Sequence, residues 1–192
     1  DSAECALGHT AMRAFFASLD SKVSRARNNK QKATTIFKEV HAMFFRKYEE
    51  NVLFEKIFED GTYNCLTASM LYSHVLDRYR IPYEIKEKPT HIYLVVFPGN
   101  DNILFETTNP RGLYAPDDKA KRGYIDALVA MKVVTREYVN SVGVASAFNE
   151  FYYDKQNISL QQLAGLQYFN LAISQYEESN IDAAITSALK AI

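Results

Sequence analysis

The hydrophobic period of this chain changes from helical to two near residue 80, and that change limits the fold more than any other feature. Before it, apolar residues recur at helix spacing: Ala11, Phe15, Phe16 and Leu19, then Ile36, Val40, Met43 and Phe44. Residues 9–50 therefore read as helical, interrupted by the basic polar stretch Ser21–Lys32, which reads as a solvated face and loop. Gly61-Thr62-Tyr63-Asn64 punctuates the chain ahead of a third helix over about 64–79. Leu66, Ala68, Met70, Leu71, Tyr72, Val75, Leu76 and Tyr79 fall nearly all round it, which places it in the middle of the core. Arg80-Ile81-Pro82 ends it.

Beyond that point Tyr83-Glu84-Ile85-Lys86 alternates as a strand, and His91–Phe97 is a β-branched and aromatic run. Pro98-Gly99-Asn100-Asp101-Asn102 is a turn cluster, and Ile103–Thr107 is the return strand. Short linked strands beside helices predict an α+β fold, with helices packed on a small antiparallel sheet. Residues 109–135 are mixed, with Asn109-Pro110-Arg111-Gly112 and Pro116-Asp117-Asp118 as breakers, and helical texture resumes near Thr135. Ser159 and Gln162 have the spacing of a capping box. It opens a C-terminal helical hairpin over about 160–177 and 181–192. The expected division is 1–155 and 156–192.

Composition removes several classes of function. With 22 basic and 23 acidic residues the net charge is −1, so nothing indicates a general grip on nucleic acid. No apolar run approaches the ~18 residues of a membrane-spanning helix. Two cysteines, Cys5 and Cys65, are too few for a disulfide framework or a cysteine-rich zinc module. The 13 Tyr and 12 Phe point to rings with a polar end at the surface or in a cleft. The chain starts Asp1-Ser2-Ala3 without Met, which leaves a secreted or periplasmic location open.

Three residues form the candidate site. Cys65 opens the central helix, where partial positive charge and free N–H groups favour a thiolate and offer donors to an oxyanion. His91 opens the strongest strand. Glu106 sits on the return strand, and register decides its meaning. A two-residue turn at Pro98-Gly99 puts Glu106 directly opposite His91. A longer loop with Phe97 opposite Ile103 puts Asn109 there instead, and either side chain can orient the ring. A nucleophile at a helix start, a base on a strand and an orienting group on the next strand follow the logic of a cysteine triad. His74 lies in the same helix as Cys65 but on its far side, and His9 and His41 have no matching partner. No short ligand pair supports a metal at Cys65, His91 and Glu106.

At these residues the sequence resembles the transglutaminase-like superfamily, the papain-related cysteine fold. The likeness runs through Gly61-Thr62-Tyr63-Asn64-Cys65, Arg80-Ile81-Pro82, His91-Ile92-Tyr93 and Glu106-Thr107-Thr108-Asn109, covering about residues 50–110. It implies Cys65 as nucleophile, His91 as base and Glu106 at the acidic position, where the family usually carries Asp. The implied activity is thiol acyl transfer on a peptide or amide, with hydrolysis expected over cross-linking and no metal or organic cofactor. The Cys65 backbone N–H would serve the oxyanion, with Tyr63 or Asn64 as second donor. The alternative is a catalytically idle binding module of the same fold. The C-terminal segment resembles a tetratricopeptide repeat, through Tyr168-Phe169-Asn170-Leu171-Ala172, Ala184-Ile185 and Ala191. It implies further repeats beyond it, a final helix that packs back, or a protein partner for the C-terminal helices.

Overall fold

The computed structural model describes residues 2–88, 91–99, 101–153 and 156–192, with side chains for all of these except 2–7 and 88. Cys5, as a side chain, and Asn100 of the expected turn lie outside the described residues. The first helical stretch is two helices, α1 (Ser2–Ser24) and α2 (Asn29–Phe44), parted within the basic stretch. Asn28 caps α2, its side chain accepting the Gln31 N–H. Met12, Phe15, Leu19 and Val23 of α1 and Ile36, Phe37, Val40 and Phe44 of α2 are buried at helix spacing.

The helix does not run on to residue 50. The chain turns extended at Phe45, and β1 (Lys47–Tyr48) pairs in parallel with β2 (Thr62–Tyr63), with α3 (Lys56–Glu59) between them. The central helix α4 (Cys65–Arg78) buries Leu66, Ala68, Leu71, Tyr72, Val75 and Leu76. Tyr72 is wholly enclosed because its hydroxyl has an acceptor, the Phe37 carbonyl at 2.9 Å.

The main sheet has five antiparallel strands in the order β6-β5-β4-β3-β7: β3 (Tyr83–Lys88), β4 (His91–Val96), β5 (Ile103–Phe105), β6 (Leu113–Tyr114) and β7 (Asn157–Ile158). One face carries Ile85, Ile92, Leu94, Val96, Ile103 and Phe105 into the core formed with α1, α2 and α4. The other face carries Tyr93, Val95 and Leu104 into a second core with Ile125, Val139, Ala147 and Phe148. These come from α5 (Asp118–Ala130), α6 (Arg136–Val142) and α7 (Val144–Tyr152). Burial on both faces is why β4 reads as a continuous apolar run instead of an alternating one. The helical layer begins earlier than expected: residues 118–130, read as mixed, form α5, capped by the Asp117 side chain on the Ala120 N–H. The fold is α+β, with helices on both faces of the sheet.

The C-terminal pair, α8 (Leu160–Glu177) and α9 (Ile181–Lys190), starts at a capping box in which Ser159 and Gln162 satisfy each other's backbone N–H. Helix α8 packs against α4, and Leu163 is buried in the first core. Leu163→Ala is therefore expected to cost about 2–5 kcal/mol in urea unfolding. An unfolding curve unchanged by the substitution would mean that α8 contributes nothing to the main core.

Candidate active site

Cys65 is the first residue of α4, and the cap that holds it is complete. Asn64 Oδ1 accepts the Thr67 N–H at 2.8 Å, Thr67 Oγ1 accepts the Asn64 N–H at 2.9 Å, and Asn64 Nδ2 donates to the Glu50 carbonyl at 2.8 Å. No acidic side chain occupies the first turn, so the positive end of the helix is not neutralised. The Cys65 backbone N–H belongs to that turn, where the helix supplies no internal acceptor. The small residues Ala68 and Ser69 let the end of the return strand come close. Thr107 Oγ1 lies 3.3 Å from Ser69 Oγ and donates to the Cys65 carbonyl at 3.5 Å. Tyr48 stands near Cys65, half exposed, its phenol pushed up mainly by burial and next by the cysteine.

His91 and Glu106 meet: Nε2 and Oε1 are 2.5 Å apart. Both atoms are buried. The His91 imidazole is raised to about 9, first by a hydrogen bond to Cys65 and next by Glu106, with partial burial working against both. Cys65 and Glu106 thus both act on His91. Tyr93 stacks beside it, the ring centroids 6.2 Å apart at 14°.

Neither expected register occurs. Val96 pairs with Ile103, Val95 with Leu104 and Leu94 with Phe105, and continuing that register sets Glu106 opposite Tyr93, diagonal to His91. Diagonal neighbours are about 7–8 Å apart, within reach of a long side chain, and the extra methylene of Glu over Asp serves that reach. The connection is an irregular loop, not a two-residue turn. Phe97 and Asn102 adopt left-handed backbone, and the Asn102 N–H donates to the Phe97 carbonyl at 3.1 Å.

Asn109 does not partner His91. Its side chain accepts the Arg111 N–H at 2.9 Å, and its own N–H donates to the Glu106 carbonyl at 3.1 Å. The expected second oxyanion donors are also engaged: Tyr63 donates its hydroxyl to the Thr108 carbonyl at 3.3 Å, and Asn64 serves the cap.

Two residues were not singled out by sequence reasoning. Gly112 closes the turn that holds Glu106, its carbonyl accepting the Glu106 N–H at 2.8 Å. Arg111 lines a cleft of about 450 Å³ that His91, Glu106 and several tyrosines share. The only signal for either was the breaker Asn109-Pro110-Arg111-Gly112, which reads as an ordinary turn.

Among the described residues no group of three or more His, Cys, Asp or Glu side chains is placed to hold a metal ion. Nor, among them, is any helix long and apolar enough to cross a membrane. Compared with models of known protein families, with curated proteins and with solved structures, the chain matches none.

Proposed function

We propose that the protein is a transglutaminase-like cysteine enzyme that hydrolyses a peptide or amide bond by thiol acyl transfer. The observation that carries this reading is the contact of the His91 imidazole with the Glu106 carboxylate, Nε2 and Oε1 2.5 Å apart, beside the cysteine that opens α4 and helps to raise that imidazole. In this reading Cys65 attacks the carbonyl as a thiolate stabilised by the helix N-terminus and the imidazolium. His91 then gives its proton to the leaving amine, while Glu106 holds the ring. The Cys65 N–H faces the developing oxyanion. Water completes the cycle by releasing the acyl group from sulfur. The outer face of the C-terminal hairpin, with Phe169, Ile173, Ile185 and Leu189 exposed, is where a protein partner would sit.

The test is cleavage of a peptide mixture read by mass spectrometry. Cleavage is expected in the native protein, with loss of at least about 10³-fold in Cys65→Ala. Products that persist unchanged in Cys65→Ala would rule out the thiol mechanism.

A further inference from the structure

The cleft beside His91 has chemistry that the proton-transfer role of the histidine does not use. Four tyrosines, Tyr93, Tyr114, Tyr124 and Tyr152, line it together with Arg111. Their rings pack as a wall: Tyr124 and Tyr152 meet edge to face at 5.3 Å and 83°, and Tyr114 lies 6.1 Å from Tyr152. Burial, followed by the neighbouring phenols, pushes the Tyr152 hydroxyl up. The cleft volume of about 450 Å³ is within the usual range for a small-ligand site.

One cation of this cleft stands apart from the His91–Glu106 pair. Glu106 is matched by His91. The exposed Arg111 side chain has no hydrogen bond, ion pair or ring contact among the described residues, and only its backbone N–H is engaged. The cleft therefore offers aromatic faces and one free guanidinium, a fork that matches a carboxylate. Phosphate is the competing anion for such a fork, but a tyrosine wall suits an apolar or aromatic side chain better than a free ion.

We infer that this cleft binds the leaving portion of a peptide substrate, an aromatic residue bearing a carboxylate, with Arg111 as the anchoring cation. The inference rests on the proposed thiol mechanism, which sets its direction. Cys65 Sγ bonds to the carbonyl carbon, and the C–N bond breaks with its electron pair left on nitrogen. The imidazolium proton then moves to that nitrogen. The leaving amine must therefore lie against the His91 ring, and that ring is itself a wall of the cleft. The chain that continues from the amine is the part that enters the tyrosine wall and meets Arg111. The carboxylate is either the free C-terminus of the substrate or an acidic side chain next to the aromatic residue.

The experiment is calorimetric titration of the full chain with three dipeptides. Glycyl-tyrosine carries a terminal carboxylate, glutamyl-tyrosinamide carries only a side-chain carboxylate, and glycyl-tyrosinamide carries none. At least one of the first two is expected to bind about tenfold or more tighter than the third. That preference is expected to vanish in Arg111→Gln and to return in part in Arg111→Lys. Which dipeptide shows it assigns the source of the carboxylate. Equal affinity for all three, or a preference that survives in Arg111→Gln, overturns the inference. Arg111 is exposed, so an unchanged melting temperature serves as the folding control. Alkylation of Cys65 on the same samples separates the two ideas. A reactive, His91-dependent cysteine without carboxylate preference sinks the cleft assignment alone. An inert cysteine with the preference intact sinks the enzyme reading, and with it the leaving-group assignment, although the carboxylate site remains.

Discussion

Iodoacetamide is expected to modify Cys65 quickly below pH 6, and His91→Ala is expected to slow that reaction about tenfold to a hundredfold. A free thiol titrates near 8.5, so at pH 6 well under about 1% of it is thiolate. A neighbouring imidazolium removes that limit, less the lower nucleophilicity that comes with a more stable thiolate. His91 is raised to about 9, so the cation is present throughout this range. A Cys5→Ser background isolates the signal. Peptide cleavage should fall as pH rises through about 9, where His91 loses the proton it donates. The same shift affects stability. His91 binds its proton more tightly folded than unfolded, so its contribution is complete below about 6.5 and is lost between about 6.5 and 9. Denaturation of wild type against His91→Ala at pH 6 and pH 9.5 should show the gap closing at the higher pH. Slow alkylation that titrates near 8.5 and ignores His91 would argue against a preformed ion pair. It would favour the same fold acting as an idle binding module.

Gly112→Ala is expected to damage both the fold and the site. A methyl group at this position overlaps the Glu106 carbonyl oxygen and lies 2.6 Å from Glu106 Cβ and 2.8 Å from the Asn109 carbonyl oxygen. Two of these three obstacles are backbone oxygens, which cannot swing aside like the end of a flexible side chain. The turn must open, at a cost of about 1–3 kcal/mol. Glu106 then moves away from His91, so the imidazole titration followed by NMR should drop below about 9. Gly123→Ala is the control. It lies in α5 with open space around its added Cβ, so it should stabilise the helix by about 0.5–1 kcal/mol. If Gly112→Ala leaves both stability and the His91 midpoint unchanged, the turn does not position Glu106.

Much of the site was legible because its signals are local. Cys65 at a helix start follows from the glycine turn and the change to helical spacing, and β4 follows from a β-branched run. The partner of His91 was narrowed to Glu106 or Asn109, and Glu106 meets it, but through neither expected register. Two registers were available on paper, and the chain uses a third, because the β4–β5 loop takes left-handed backbone at Phe97, a residue that rarely adopts it. Phe97 is held there from outside the loop: its N–H donates to the Pro82 carbonyl at 2.8 Å, and its ring is buried. The shift by one pair moves Asn109 away from His91 and leaves Glu106 to reach it along a diagonal.

By itself, the sequence determined the helices of the first core layer, the Ser159–Gln162 capping box, the central position of α4 and the antiparallel pairing, since these follow from the spacing of residues near one another in the chain. Only the tertiary structure decided the second helical layer, the pairing of Glu106 with His91, the close approach at Gly112 and the place of Arg111 in the cleft. These depend on which segments meet across the sheet, and packing between distant residues sets that, with no periodicity along the chain to announce it.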